Sequence, residues 1–246
     1  MNPERHLRSP DAPNSSSSRA AAGARMNPAR HLIVVAPHPD DETLGLGGTI
    51  HDHLRSAGSA EIIAVTDGEA ADEVGCSEAR AALARRRHQE RGAALTILGA
   101  AAVHVTRLRF PDRGVELHER RLADGLRRNL LAAKRKHGSC MVALPWREDP
   151  HADHRATARA GIEAARRTGL DYVEIPIWAW YQLAWRERLP PSRIRAMTIS
   201  TKAREAKRAA LRCFRSQLEP LPGGRGPVLP IDFLDAFNGE HEVILA

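Results

Sequence analysis

From Leu32 onward the chain alternates short apolar runs with longer amphipathic stretches, and this alternation restricts the fold more than any other feature. The runs LIVVA (32–36), EIIAVT (61–66), AVHVTRL (102–108), CMVALP (140–145) and YVEIPIWAW (172–180) have strand length, and AMTIST (196–201) is a candidate sixth. Between them lie stretches of helical periodicity at about 42–57, 77–98, 117–137 and 153–167. A last one spans about 202–218, with Ala203, Ala206, Ala210, Phe214 and Leu218 on one face. Strands that are apolar on both sides, each followed by a helix, build a mostly parallel sheet covered on both faces. The expected fold is a Rossmann-like three-layer α/β sandwich. Ligands in such sheets bind beyond the carboxyl ends of the strands.

Two strand-to-helix loops at that edge carry unusual residues. VVAPHPDDETLGLGG (34–48) takes an apolar strand straight into a histidine and three consecutive acids, and LPWREDPHADH (144–154) does much the same after the fourth strand. Ionisable groups at the mouth of a buried strand are strongly disfavoured unless a cation or solvent meets them. His38 and Asp41, three apart across a turn, can face one point, and His154 can supply a third donor from across the sheet. Such a His-Asp-His set suits Zn2+ with one open position, with Fe2+ as the alternative metal, and contains no thiolate. Asp41 and Glu42 could instead be first-turn acids favoured by the helix dipole, but that leaves His38 and Asp40 unexplained. The GLGG of Gly45 to Gly48 lacks the G-x-G-x-x-G spacing and follows three acids, so close packing of helix on sheet explains it better than phosphate binding.

The length of 246 residues suits one domain, expected at 29–246, behind an N-terminal extension at 1–28 rich in Ser, Ala, Pro and Arg and expected to be disordered. MNPARHL at Met26 echoes MNPERHL at Met1, which leaves either methionine as the start. The 37 Lys and Arg against 30 Asp and Glu give a net charge of +7, which raises a polyanion-binding domain as a non-enzymatic alternative. The arginines are scattered over every expected helix and no nucleic-acid motif occurs, so no nucleic-acid partner is expected. Cys76, Cys140 and Cys213 have neither metal-type nor paired spacing and read as free thiols of a reducing compartment, so the expected location is cytoplasmic. No apolar run is long enough to span a bilayer.

The two boxes, Pro37-His38-Pro39-Asp40-Asp41-Glu42 and His151-Ala152-Asp153-His154, resemble the signatures of the PIG-L/LmbE family of zinc-dependent N-deacetylases. The resemblance runs on through VTDGEA after the second strand, the Arg87–Glu90 pair, and Ser216-Gln217 at the end of the last helix. It implies His38, Asp41 and His154 as metal ligands, Asp40 as general base, and His151 as the group that stabilises or protonates at the reacting centre. Ala152 replaces the usual proline of the second box and removes no functional group. The implied reaction is removal of an acetyl group from an N-acetylated sugar or glycoconjugate. Zinc polarises the amide, Asp40 carries the proton from water to the departing amine, and His151, as an imidazolium, faces the oxyanion. An amidase acting on a larger acyl or thiol-conjugate amide is the alternative within the enzyme class.

Further residues have two readings each. Asp153 is expected behind the metal, orienting a ligating imidazole. Asp67, ending the second strand, lines the pocket wall or serves a turn; Arg87 bonds a substrate hydroxyl or pairs with Glu90 at helical spacing. His51, His53 and His88 read as surface or core residues. Trp178, Trp180, Tyr181 and Trp185 read first as core or subunit interface, with stacking on a sugar as the alternative.

Overall fold

The computed structural model describes residues 25–71, 76–181, 183–221 and 225–246. The elements are β1 His31–Ala36, α1 Asp41–Arg55, β2 Ala60–Thr66, α2 Ser77–Ile97, β3 His104–Phe110, α3 Glu119–His137, β4 Cys140–Pro145, α4 Ala152–Thr168 and β5 Asp171–Ile175. Then come α5 Leu183–Arg186, β6 Ile194–Thr198, α6 Thr201–Leu211, α7 Arg215–Leu218, α8 Ile231–Asp235 and β7 His241–Leu245. The strands form one sheet in the order β3-β2-β1-β4-β5-β7-β6. β1 to β5 are parallel, whereas β7 lies antiparallel between β5 and β6.

The period-two alternation within β1 explains the layers. Leu32, Val34 and Ala36 join Ile62 and residues of α1, α2 and α6 in one core, while Ile33 and Val35 join Ile63, Val142 and residues of α3 and α4 in another. The expected three-layer α/β sandwich is therefore the observed one. Because β2 pairs with one edge of β1 and β4 with the other, the chain reverses its direction of travel at β1. The loops after β1 and β4 consequently open side by side, at the switch point where such sheets bind ligands. Glycines let α1 lie close to the sheet: a Cβ on Gly45 would stand 2.6 Å from Ile175, and one on Gly48 2.6 Å from Ile199.

Several expectations differ from the structure. The run 172–180 is not one strand: β5 stops at Ile175 before Pro176, and Trp178–Trp180 form a 3-10 turn whose start is held by Asp149. The long final helix is two, α6 and α7, because Phe214 turns its side chain into the core between them. β7 has no counterpart among the expected strands; its five residues carry little alternation of their own. Of the expected N-terminal extension, 1–24 lie outside the described residues. Met26 packs against the core and so belongs with the folded part. No helix among the described residues is long and apolar enough to cross a membrane.

Candidate metal and catalytic centre

The loop after β1 turns sharply enough to fold its own acids back on its histidine. The Asp41 carboxylate accepts the His38 backbone N–H at 2.8 Å through Oδ2, and the same oxygen lies 3.4 Å from His38 Nδ1. From across the sheet, the first turn of α4 brings His154 Nε2 to 3.2 Å from that oxygen and 3.3 Å from His38 Nδ1. Three donor atoms thus form a nearly equilateral triangle. A tetrahedron with bonds of about 2.0–2.1 Å, those of zinc to nitrogen or carboxylate, has edges of about 3.3–3.4 Å. The triangle is one face of such a tetrahedron.

Charge agrees with geometry. Asp40, Asp41, Glu42, Asp112, Asp149 and Asp153 are all buried around two buried histidines, and Arg87 and Arg91 are the buried arginines beside them. Burial alone would lower the pKa of His154, but Asp41 and Asp149 raise it to about 9. His38, also pushed down by burial, is carried above its ordinary value by hydrogen bonds to Asp112, Asp153 and Asp41. Burial pushes Asp41 up, yet His154 and His38 hold it far below the carboxylate range. The cluster has an excess of negative charge and draws positive charge into itself, which is the condition a divalent cation would satisfy.

The outer nitrogens are held from behind. His38 Nε2 faces Asp112 Oδ1 and Asp153 Oδ2, both at 3.2 Å, so its proton sits on that side and Nδ1 is left as the donor facing the triangle. Those two acids are themselves fixed by backbone N–H groups, Asp112 by Ala70 and Asp153 by Arg113 and Val115. His154 Nδ1 lies 3.6 Å from Asp149 Oδ1, an ion-pair approach too long for a hydrogen bond. His38, His151 and His154 also offer ring nitrogens within 4.8 Å of one another, but His151 Nδ1 is occupied by the Asp153 backbone N–H at 3.2 Å.

Comparison with known proteins now bears on this geometry. The family profile described as PIG-L: GlcNAc-PI de-N-acetylase matches residues 33–165, which span both loops. The chain belongs to the PIG-L family. It is 33% identical over 150 residues to a diacetylchitobiose deacetylase of Thermococcus kodakarensis, covering 58% of this chain and 52% of that protein, so it spans about half of that relative's length. It is 27% identical, over 87% of this chain and 83% of the relative, to a 1D-myo-inositol 2-acetamido-2-deoxy-alpha-D-glucopyranoside deacetylase of Mycobacterium sp. (strain JLS). Among solved structures it resembles the conserved protein TT1542 of Thermus thermophilus, with a TM-score of 0.54, 30% identity, and 76% of this chain and 79% of that one covered. The zinc-inhibited form of teicoplanin deacetylase Orf2 shares the fold, with a TM-score of 0.65 at 15% identity over 87% of this chain and 97% of that one.

In this PIG-L chain Asp40 stands apart from the triangle. It sits at the start of α1 with φ 132°, a conformation that a non-glycine residue holds only when its surroundings impose it. Arg87 imposes it. One guanidinium nitrogen bonds the Asp40 carboxylate at 2.9 Å and the Pro39 carbonyl at 2.8 Å, and another bonds the Gly68 carbonyl at 3.0 Å. Burial raises the Asp40 pKa to about 7, with Arg87 opposing and Asp41 and Glu42 adding to the rise. Arg87 therefore does not pair with Glu90; that acid bonds Arg86 and both the backbone and hydroxyl of Ser216, tying α2 to α7.

A cavity of about 180 Å³ opens over these groups, lined by His38, Asp40, Asp41, Asp112, His151 and Trp178 among others. Asp67 is not part of that lining, because Arg107 holds its carboxylate at 2.9 Å. His151 caps α4 with its Nδ1, and burial together with His38 and His154 lowers its pKa to about 3. The geometry thus favours a neutral ring with its proton on Nε2 over the imidazolium expected from sequence. Asp112 and Asp149 were not singled out in the sequence. Asp112 could have been found by the same strand-to-loop rule, since it follows β3 as His38 follows β1. Asp149 accepts the backbone N–H groups of His151, Ile177 and Trp178, a role that leaves no pattern in the chain.

Proposed function

We propose that the chain is a metal-dependent amide hydrolase that removes the acetyl group from an N-acetylated sugar or glycoconjugate. The observation that carries the reading is the donor triangle of His38, Asp41 and His154 with Asp40 beside it, buried, clamped by Arg87 and outside the triangle. The relatives from Thermococcus kodakarensis and Mycobacterium sp. are named as deacetylases of diacetylchitobiose and of an inositol-linked 2-acetamido-2-deoxy-glucopyranoside, which supports the substrate class. His38 Nδ1, Asp41 Oδ2 and His154 Nε2 would hold the metal, and nitrogen and carboxylate donors favour zinc, with ferrous iron as the alternative. The chemistry supplied by a divalent cation held there is Lewis acidity, toward the amide carbonyl and toward the attacking water.

The chain's own residues do the rest. Asp40, with a pKa near neutrality, takes a proton from the attacking water through its carboxylate and returns it to the departing amine nitrogen. Arg87 fixes that carboxylate in place. His151 donates its Nε2 hydrogen to the developing oxyanion, while Asp153, whose backbone N–H holds Nδ1, sets the tautomer. Free thiols at Cys76, Cys140 and Cys213 support a cytoplasmic location.

The test is release of acetate from N-acetylglucosamine and diacetylchitobiose by protein loaded with one equivalent of zinc. Stoichiometric acetate and free amine are expected. Release of a longer acid from N-acyl or thiol-conjugate amides, with no acetate from any N-acetyl sugar, would replace this reading by a broader amidase.

A further inference from the structure

The two helical layers that cover the sheet differ in charge. Arginines occur on every long helix, but α3 and α4, which pack together on one face, hold eleven Lys and Arg against four Asp and Glu, an excess of seven. The whole chain has a net charge of +7, so the remainder of it is balanced. On the other face Arg86 and Arg87 of α2 and Arg204 and Lys207 of α6 are each ion-paired. On α3 and α4 the acids run out. Asp153 is buried behind His38, Glu119 is taken by Arg159 at 2.7 Å and Glu163 by Arg167 at 2.8 Å. Asp124 and, in the turn entering α3, Glu116 are left to offset nine cations. Helix stability accounts for some of these: Lys134, Arg135, Lys136 and Arg166 lie in last turns, where the macrodipole favours positive charge. It does not account for Arg120, in the first turn of α3 where the dipole disfavours it, or for Arg127 and Arg128 in the middle.

The shape of this face selects a kind of partner. Leu122, Leu126, Leu130 and Ala133 turn one side of α3 into the core, so Arg120, Asp124, Arg128 and Arg135 follow one another on its outer side. At 1.5 Å per residue that stripe is about 22 Å long. Glu119 meets Arg159 toward one end, and the Lys134 ammonium donates to the Thr168 carbonyl at 2.7 Å at the other, so α4 lies alongside for most of that length. A DNA major groove, about 12 Å wide, admits one helix and not two shoulder to shoulder. Neither helix holds a Phe, Tyr or Trp on which bases could stack. An anionic bilayer spreads its charge in a plane, attracts each Lys or Arg near it and accepts apolar side chains as well. Leu117, in the turn that enters α3, is 81% exposed, more than any other large apolar side chain described. We infer that the α3–α4 face docks the protein on a bilayer of anionic phospholipid. Since no helix among the described residues can cross a membrane, the attachment is peripheral and sensitive to salt. It does not depend on the reaction proposed above, because none of these cations lines the cavity over the donor triangle.

The experiment is co-sedimentation of the full chain, loaded with zinc, with vesicles of phosphatidylcholine alone or with about one-third phosphatidylglycerol, at an ionic strength of about 0.1 M. Binding to the mixed vesicles is expected to be at least about a hundredfold tighter, and to disappear at about 1 M salt, where the Debye length falls to about 3 Å. Arg120→Gln, Arg127→Gln, Arg128→Gln and Arg135→Gln combined should weaken it by about two to three orders of magnitude, at about fivefold per cation. The control combines Lys202→Gln, Arg204→Gln, Arg208→Gln and Arg212→Gln, which removes the same charge from the opposite layer, and should weaken binding by less than about tenfold. Urea midpoints show whether each variant is folded. Should the fourfold variant of α3 not fold, Arg120→Gln/Arg135→Gln decides in its place, with an expected loss of about 25-fold. A wild-type protein that does not distinguish the two vesicles overturns the inference, as does a folded α3 variant that still binds. A control variant that loses as much as the α3 variant also overturns it, since binding would then follow net charge and not this face. A short duplex DNA that binds more tightly than the mixed vesicles, and is released by the same α3 substitutions, replaces the bilayer by a nucleic acid.

Discussion

Buried charge occurs in two parts of this molecule, and the two are arranged by opposite rules. At the edge formed by β5, β7 and β6 every buried acid is matched. Glu174 is ion-paired with Arg147 and with Arg193, the latter at 2.8 Å, and Glu242 with Lys207 at 2.6 Å. Glu242 also accepts the Gly48 and Thr49 backbone N–H groups at 2.8 Å. Those N–H groups start the second segment of α1, where the helix breaks at Leu46. Around His38, by contrast, acids outnumber arginines, two histidines are driven toward protonation and Asp40 is driven toward neutrality. Matched charge holds elements together; an unmatched excess is an instruction to bind something. The same residue types thus hold structure together in one place and, in the function proposed above, would serve chemistry in the other.

Removing a donor from the unmatched cluster should have the largest effect. His154→Ala deletes one corner of the triangle, so zinc per chain, measured by atomic emission after dialysis, should fall from about one to near zero. Retention of a full equivalent would dismiss the triangle as the metal site. Asp40→Asn keeps the shape and leaves all three donors, so zinc content should survive while acetate release falls by about two to four orders of magnitude. If Asp40→Asn instead emptied the site and Asp41→Asn did not, the two aspartates would exchange roles.

The unmatched cluster was the more legible region. Its residues cluster in two short boxes because strand-to-helix loops bring consecutive side chains to one edge of the sheet, and a run such as His38 to Glu42 has no structural reason to be so polar. The parallel strands β1, β2 and β4 were legible for a related reason: burial on both faces makes them continuously apolar. The matched region was not. Glu242 and Lys207 are 35 residues apart on a strand and a helix whose packing is set by tertiary contacts, and β7 joins the sheet beside a strand far from it in sequence. Asp149 was hidden similarly, since it accepts the His151, Ile177 and Trp178 backbone N–H groups, which meet it only after folding.

In the matched region the effects should fall on stability and spare the metal. Lys207→Met removes one partner of a buried pair and strands Glu242, which should lower unfolding free energy by about 3–5 kcal/mol in a urea titration. Zinc content should stay at one. A loss of zinc with unchanged stability would mean that the two regions are not separate.

The smallest expected effect is one of pH. Burial raises the Glu174 pKa, but the hydrogen bonds from Arg147 and Arg193 outweigh it and hold the carboxyl below its ordinary value of 4.5. A carboxyl whose folded pKa lies below its unfolded one binds fewer protons in the folded state, so its contribution to stability is complete above about 4.5 and is lost as pH falls through the folded value. Glu174→Gln abolishes that proton linkage. The variant should therefore be less stable than the wild type at pH 7, and the gap between the two urea midpoints should narrow steadily below pH 4.5. The unmatched cluster titrates identically in both proteins and cancels from the comparison. A gap that stayed constant down to pH 3 would show that Glu174 holds β5 to its neighbours by shape and hydrogen bonding alone, with its charge contributing nothing.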